Sequence, residues 1–177
     1  SVGFCLLDNG RQTLRGFGVT SLDDPQPVTA DTLFTIASIS KTITATAVMK
    51  LVEDGRVDLR APVRTYLPGF RVQDEETSRT VTLWHLLTHT SGLTYGFMFA
   101  HPVDELYRRA GFEWGVPAGD DLAALCSRLA KLPLLFQPGT EWNYSMAIDV
   151  LGRVLEVITG QSLDQLLRER IFGPLGM

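Results

Sequence analysis

Lysine is scarce in this chain of 177 residues: of its 16 basic side chains three are lysines, Lys41, Lys50 and Lys131, and the others are arginines. Arginine keeps its proton in proteins, so a step that needs a neutral amine has three residues to draw on. Cysteine is scarcer still. Cys5 and Cys126 lie far apart with no C-x-x-C spacing, which offers neither a disulfide framework nor a zinc site and reads as two buried thiols. Long apolar runs are missing as well. No stretch approaches the roughly 18 residues that cross a bilayer, and the start has no basic segment followed by an apolar one, so no integral membrane segment is expected. Charge of one sign does not cluster either: 16 basic and 20 acidic residues, interspersed, give a net charge of −4. That leaves no extended basic surface to neutralise a phosphate backbone, and no nucleic-acid partner is expected. None of this fixes a compartment.

What is present is enough apolar material, 45% of residues, to bury a real core as one domain or one lobe of a larger one. Residues 1–20 read as a hairpin, because apolar runs flank Asp8-Asn9-Gly10 and an Asn-Gly pair suits positive φ. After the Pro-containing connection at 23–27, a helical lobe is expected over residues 31–177. Its helical patterns run from Ser38 to Asp54, Leu59 to Tyr66, Leu83 to Thr88, Val103 to Ala110, Asp120 to Leu132, Ser145 to Thr159 and Leu163 to Ile171. Gly55, Gly160 and Gly173-Pro174 stand where helix stops belong. The class is therefore α+β. A lone two-stranded hairpin is marginal in water, so strands completing its sheet are expected from elsewhere. The chain begins at Ser1 and ends after F-G-P-L-G-M, and we expect it to be part of a longer protein that lacks its C-terminal strands here.

The stretch F-T-I-A-S-I-S-K, Phe34 to Lys41, opens the longest helical pattern. A serine hydroxyl is a poor nucleophile until a neighbouring base takes its proton. Ser38 and Lys41 are three apart, which on a helix puts them on one face a turn from each other, whereas Ser40 lies off that face. An ordinary lysine, with a pKa near ~10.4, is protonated at neutral pH. Burial among Phe34, Ile36, Ala37, Ile39 and Ile43 is expected to lower that value and free the amine to act as a base. Backbone N–H groups at the helix start favour the oxyanion of acyl transfer. The competing reading makes Ser38 an N-cap and Lys41 a solvated first-turn residue.

Two further stretches carry candidate groups. In F-Q-P-G-T-E-W-N-Y-S-M-A-I-D-V-L-G, Pro138-Gly139 marks a turn and Ser145 a plausible N-cap of the next helix. Tyr144 stands at that junction, placed either to relay a proton to Ser38 and Lys41 or simply to pack with its hydroxyl satisfied. Asn143-Tyr144-Ser145 matches the N-glycosylation pattern, but a packed helix entry is a poor place for a glycan. In L-W-H-L-L-T-H-T-S-G-L, His85 and His89 have metal-like spacing without a following glutamate or a third ligand, and Ser91 is not in G-x-S-x-G. A helix-terminating turn held by side-chain hydrogen bonds is the preferred reading, with no metal.

Together and in this order, F-T-I-A-S-I-S-K, L-L-T-H-T-S-G-L, P-G-T-E-W-N-Y-S and the closing P-L-G-M resemble the serine β-lactamase and penicillin-binding-protein superfamily. The match is to its class C-like branch, which includes family VIII carboxylesterases and D-aminopeptidases. The resemblance implies a β-lactamase/transpeptidase-like fold with no cofactor, and a small-molecule ester or β-lactam-like substrate. It implies Ser38 as the acylated nucleophile, Lys41 as its proton acceptor and Tyr144 as the residue completing proton transfer. An oxyanion hole would join the Ser38 N–H to an N–H on a C-terminal strand bearing a K-T-G or H-x-G motif. Members of the branch usually read Y-x-N, where this chain reads Tyr144-Ser145-Met146. Methionine makes none of the asparagine's hydrogen bonds, so Met146 as the substrate-facing residue shifts the expectation from an amide toward an ester. A carboxylesterase is the leading expectation. A β-lactamase, a D-alanyl-D-alanine carboxypeptidase or a D-aminopeptidase is the alternative, followed by a non-catalytic sensor or scaffold.

Overall fold

A computed structural model describes residues 1–72 and 74–177. The chain divides into two compact units, Ser1–Ala37 and Ser38–Met177. In the first, β1 (Val2–Asp8) pairs antiparallel with β2 (Arg11–Phe17) in a register running from Val2 opposite Phe17 to Asp8 opposite Arg11. The two-residue turn has positive φ at both Asn9 (47°) and Gly10 (81°), the geometry that matches the twist of a hairpin and that Asn-Gly tolerates best. Val2, Phe4, Leu6 and Phe17 are all exposed. Cys5 is exposed too, against the expectation of two buried thiols; Cys126 is buried. Residues 31–37, expected in the helical lobe, belong instead to this first unit. The Thr29 N–H donates to the Thr32 hydroxyl at 2.9 Å, the Val28 N–H donates to the Gly18 carbonyl at 3.1 Å, and Phe34 lies against Gly3.

The second unit is helical. α1 (Ile39–Glu53) buries Thr44, Ala47, Val48 and Leu51, the i, i+3, i+4, i+7 stripe of a helix packed on one side. α2 (Val63–Tyr66), α3 (Glu75–Thr80), α4 (Leu83–Leu87), α5 (Pro102–Arg109), α6 (Leu122–Leu129), α7 (Ala147–Thr159) and α8 (Leu163–Leu167) follow, and a π turn over Arg168–Phe172 leads to the short α9 (Gly173–Leu175). α7 is central: α1, α2, α4, α6 and α8 all pack on it, around a core that includes Val48, Leu51, Leu86, Leu125, Leu151 and Leu155. Gly55 and Gly160 stand just past α1 and α7 as expected.

Several helices are shorter than their sequence patterns, for local reasons. Pro62 is extended (ψ 142°) and delays α2 to Val63, while the Asp58 carboxylate accepts the Arg60 N–H at 2.8 Å in the preceding turn. Asp121 caps α6 by accepting the Ala124 N–H at 2.7 Å, which starts that helix at Leu122. α3 is absent from the sequence expectation. Its cap is Asp74, which accepts the Thr77 N–H at 2.7 Å, and the helix is too short and polar to show a periodic apolar stripe.

Candidate active site

Ser38 occupies the N-cap position of α1 but caps nothing with its side chain. Its Oγ instead accepts hydrogen bonds from the Tyr144 hydroxyl at 2.5 Å and from Lys41 Nζ at 3.3 Å. The S-x-x-K spacing produces this directly: the Lys41 N–H donates to the Ser38 carbonyl at 3.1 Å, closing the first turn and setting both side chains on one face. Ala37, immediately before, has φ 44°, a left-handed conformation that a residue with a Cβ adopts at some cost. Such outliers cluster at functional sites. Ser40 contributes its carbonyl to the Thr44 hydroxyl at 3.1 Å, within the helix.

Tyr144 reaches Ser38 because two loops are stitched together beneath it. The turn after α4 and the segment entering α7 share backbone hydrogen bonds: Leu135 N–H to the Gly92 carbonyl (2.8 Å), Gly139 N–H to the Thr90 carbonyl (2.8 Å) and Asn143 N–H to the His89 carbonyl (2.9 Å). Gly92 is required here, with φ 85° and a backbone approach so close that a Cβ would lie 2.4 Å from the Phe136 carbonyl oxygen. The Asn143 side-chain amide donates to the Leu93 and Tyr144 carbonyls at 3.1 and 3.2 Å, so the residue that matched a glycosylation pattern is engaged in holding the loop. His89 has φ 57°, its Nδ1 lies 3.3 Å from Ser145 Oγ, and its ring packs on Tyr144 with centroids 4.9 Å apart.

The electrostatics of the cluster reverse one expectation. Ile39, in the same unit as Lys41, is exposed and does not wall it in. Lys41 Nζ lies instead over two phenol rings, 5.0 Å from the centroid of Tyr144 and 5.5 Å from that of Tyr95. Partial burial by itself pulls Lys41 down, but hydrogen bonds to Tyr144 and Tyr95 and their electrostatic attraction outweigh it and hold the ammonium above its ordinary value. Tyr144 moves the opposite way. Burial raises it, yet hydrogen bonds from Lys41 and to Ser38, with the Lys41 charge, bring the phenol below its ordinary value. Tyr95, nearly fully buried, is raised, first by burial and then by the Asp149 carboxylate. Asp149, on the first turn of α7, is itself raised by burial, while the Lys41 charge pulls it down. His89 is lowered by burial and by the same lysine.

Ser38, Lys41 and Tyr144, taken from three places in the sequence, thus form one cluster. Met146 does not join it. Expected to face the substrate, it is 0% exposed and sits in the hydrophobic core, because the turn into α7 points it inward; no part of it is open to a ligand. Helix α7 starts two residues later than its pattern, at Ala147, and Ser145 Oγ accepts the Ala147 N–H at 3.3 Å. His85 caps α4, its Nδ1 accepting the Thr82 N–H at 3.2 Å. Among the described residues no set of three His, Cys, Asp or Glu is grouped to hold a metal ion. A groove of about 740 Å³ lined by Val52, Val57, Leu59, Trp84 and His85 holds none of the three clustered residues. Tyr95 is the site neighbour that sequence reasoning missed, and His89, read there as part of a helix-terminating turn, is a second neighbour of the cluster; spacing ties neither to Ser38.

The chain is similar to known proteins over most of its length. Esterase EstB of Burkholderia gladioli is 43% identical over 165 residues, covering 92% of this chain and 42% of EstB. Penicillin-binding protein 4 of Amycolatopsis lactamdurans is 39% identical over 165 residues, 92% of this chain and 38% of that protein. The chain therefore spans less than half the length of these curated relatives. Among solved structures, EstCE1, described as a hydrolase with promiscuous acyltransferase activity, superposes with a TM-score of 0.83 at 33% identity over 95% of this chain and 44% of its own. No helix among the described residues is long and apolar enough to cross a membrane. The family model for beta-lactamase matches residues 1–177, and the chain belongs to that family, with its β-lactamase/transpeptidase-like fold.

Proposed function

We propose that this chain carries the nucleophile and proton-transfer groups of a serine hydrolase that cleaves small carboxylic esters through an acyl-enzyme. The observation that carries the reading is the Ser38 hydroxyl, uncapping and exposed, held at 2.5 Å by Tyr144 and 3.3 Å by Lys41. In the resting cluster a cationic Lys41 and a neutral phenol both donate to Ser38 Oγ. Once the phenol has released its proton to solvent, Ser38 donates to the phenolate, which the Lys41 ammonium stabilises. Attack of Ser38 Oγ on the ester carbonyl transfers the serine proton to Tyr144 and gives a tetrahedral oxyanion. Its collapse breaks the carbonyl–alkoxy bond, and the leaving alkoxide takes the proton back from Tyr144. Water then repeats the sequence on the acyl-serine and releases the acid. The roles implied by the resemblance are thereby exchanged in emphasis: Tyr144 takes the proton, and Lys41 is the fixed cation that lowers it.

An ester is favoured because relatives named as esterases, EstB and the lovastatin esterase of Penicillium rubens (32% identical over 167 residues), align across this site. A penicillin-reactive peptidase is the second reading, on the strength of the 39% identity to a penicillin-binding protein. In the full-length protein, Ser38→Ala is expected to abolish covalent labelling by a fluorophosphonate, and undiminished labelling would sink the nucleophile assignment. Turnover of p-nitrophenyl butyrate over a chromogenic cephalosporin and a D-amino-acid amide supports the ester. The reverse order selects the second reading, and an adduct that forms but never clears points to a sensor.

A further inference from the structure

The H-T-S-G turn has no part in the reaction outlined above, yet its histidine touches the residue that does. His89 lies in the left-handed backbone region (φ 57°), which histidine enters more readily than most side chains but still at a cost. Three contacts fix it there. Its carbonyl accepts the Asn143 N–H at 2.9 Å, its Nδ1 lies 3.3 Å from Ser145 Oγ, and its ring packs tilted at 45° on Tyr144 with centroids 4.9 Å apart. Trp142 meets the same ring edge-on, with centroids 6.2 Å apart. The residues flanking Tyr144 and the phenol itself are thus all held by one side chain and its backbone.

We propose that His89 is a positioning residue for Tyr144, a wedge between the turn after α4 and the entry to α7 that holds the phenol hydroxyl on Ser38 and releases it when the imidazole takes a proton. The inference rests on the reading of Ser38 and Tyr144 as nucleophile and proton acceptor. Its chemical basis lies in the buried Ser145 hydroxyl, 1% exposed, which already accepts the Ala147 N–H. A neutral imidazole leaves Nδ1 free to accept the Ser145 hydroxyl proton, so donor and acceptor roles close without a surplus. An imidazolium donates from both nitrogens, forcing Ser145 Oγ to accept twice with its own proton unplaced. The ionisable groups that act on the ring are Lys41 on α1 and Tyr144 ahead of α7, with Tyr95 against both of these and Asp149 on α7 acting on the same lysine and phenol. Burial and the Lys41 charge keep the imidazole neutral until the pH falls below its ordinary range.

The test is the pH dependence of the fluorophosphonate labelling rate at Ser38 in the full-length protein. Loss of the Tyr144 phenolate lowers the logarithm of the rate with unit slope as pH falls. Protonation of His89 adds a second unit below the ordinary imidazole value of 6.5. In His89→Asn, which tolerates left-handed φ, the rate at neutral pH is expected to drop by about ten- to a hundredfold, and the second slope disappears. A variant that labels at the wild-type rate with both slopes intact overturns the proposal, whereas labelling of Ser38→Ala overturns the parent reading instead. Should His89→Asn not fold, ¹⁵N spectra of the wild-type imidazole decide. A titration midpoint coinciding with the second limb supports the proposal, and a midpoint elsewhere refutes it.

Discussion

Two serines stand at the starts of two packed helices, and they meet opposite fates. Ser145, before α7, is buried, accepts the Ala147 N–H at 3.3 Å and meets His89 Nδ1, so its hydroxyl completes local structure. Ser38, at the N-cap of α1, bonds no backbone group with its side chain and receives Tyr144 and Lys41 instead. A helix N-terminus offers unsatisfied N–H groups, and a serine there normally answers one of them. The serine that declines this role keeps its oxygen free for other chemistry. The contrast explains why S-x-x-K alone says little: N-cap and nucleophile have the same sequence, and the difference lies in a tyrosine 106 positions away.

The largest effects should come from the Ser38 side of the pair. Tyr144→Phe removes the proton acceptor and is expected to lower the acylation rate by about 10²- to 10⁴-fold. Because Tyr144 lies below its ordinary value of 10.0, the wild-type labelling rate should climb with pH and level off before that point. Lys41, held above 10.5, stays cationic over the same range, so the fall at high pH should come only beyond it. A stopped-flow profile of Tyr144→Phe without the rising limb would bear this out. Lys41→Arg sharpens the point further. It keeps a cation that cannot act as a base, so retention of part of the rate, measured against Lys41→Ala, supports a charge-holding role, and complete loss in both would return the base to Lys41.

Next in size is a change that the contrast assigns to structure alone. Met146→Ala removes a fully buried side chain, and the cavity should cost about 2–5 kcal/mol of stability. Urea melts measure it directly. Below the transition, the KM for an ester substrate should match wild type, since no part of Met146 is open to a ligand. A raised KM in a folded variant would restore the substrate-facing role that the sequence pattern assigned to it.

The sequence exposes some of this architecture and hides the rest for definable reasons. The Asn9-Gly10 turn, α1 with its terminating Gly55 and α7 with Gly160 follow from local rules that act within a few residues. The Ser38–Lys41 pair follows from helix spacing. Met146 was misplaced because the direction of a side chain in a turn depends on tertiary packing, not on its neighbours' identity. The lowered lysine was likewise expected from apolar neighbours in sequence, whereas its real surroundings are Tyr95 and Tyr144, brought in from 54 and 103 positions away. Charge environment is a long-range property, and local composition misjudged its sign.

The smallest and most discriminating prediction concerns Ser145→Ala. The substitution leaves the Ala147 N–H unsatisfied and His89 Nδ1 without its partner in a buried setting, a loss of about 1–3 kcal/mol. It leaves the His89 ring against Tyr144 and the three backbone bonds between the two loops in place. The labelling rate should therefore fall less than in His89→Asn, while the thermal midpoint drops measurably; in Ser38→Ala, by contrast, labelling vanishes and stability stays within about 0.5 kcal/mol of wild type. Differential scanning calorimetry beside a labelling time course separates the two outcomes. Equal losses of activity in the two serine variants would mean that the hydroxyl before α7 shares in the chemistry, and that burial does not divide the two serines as their hydrogen bonds imply.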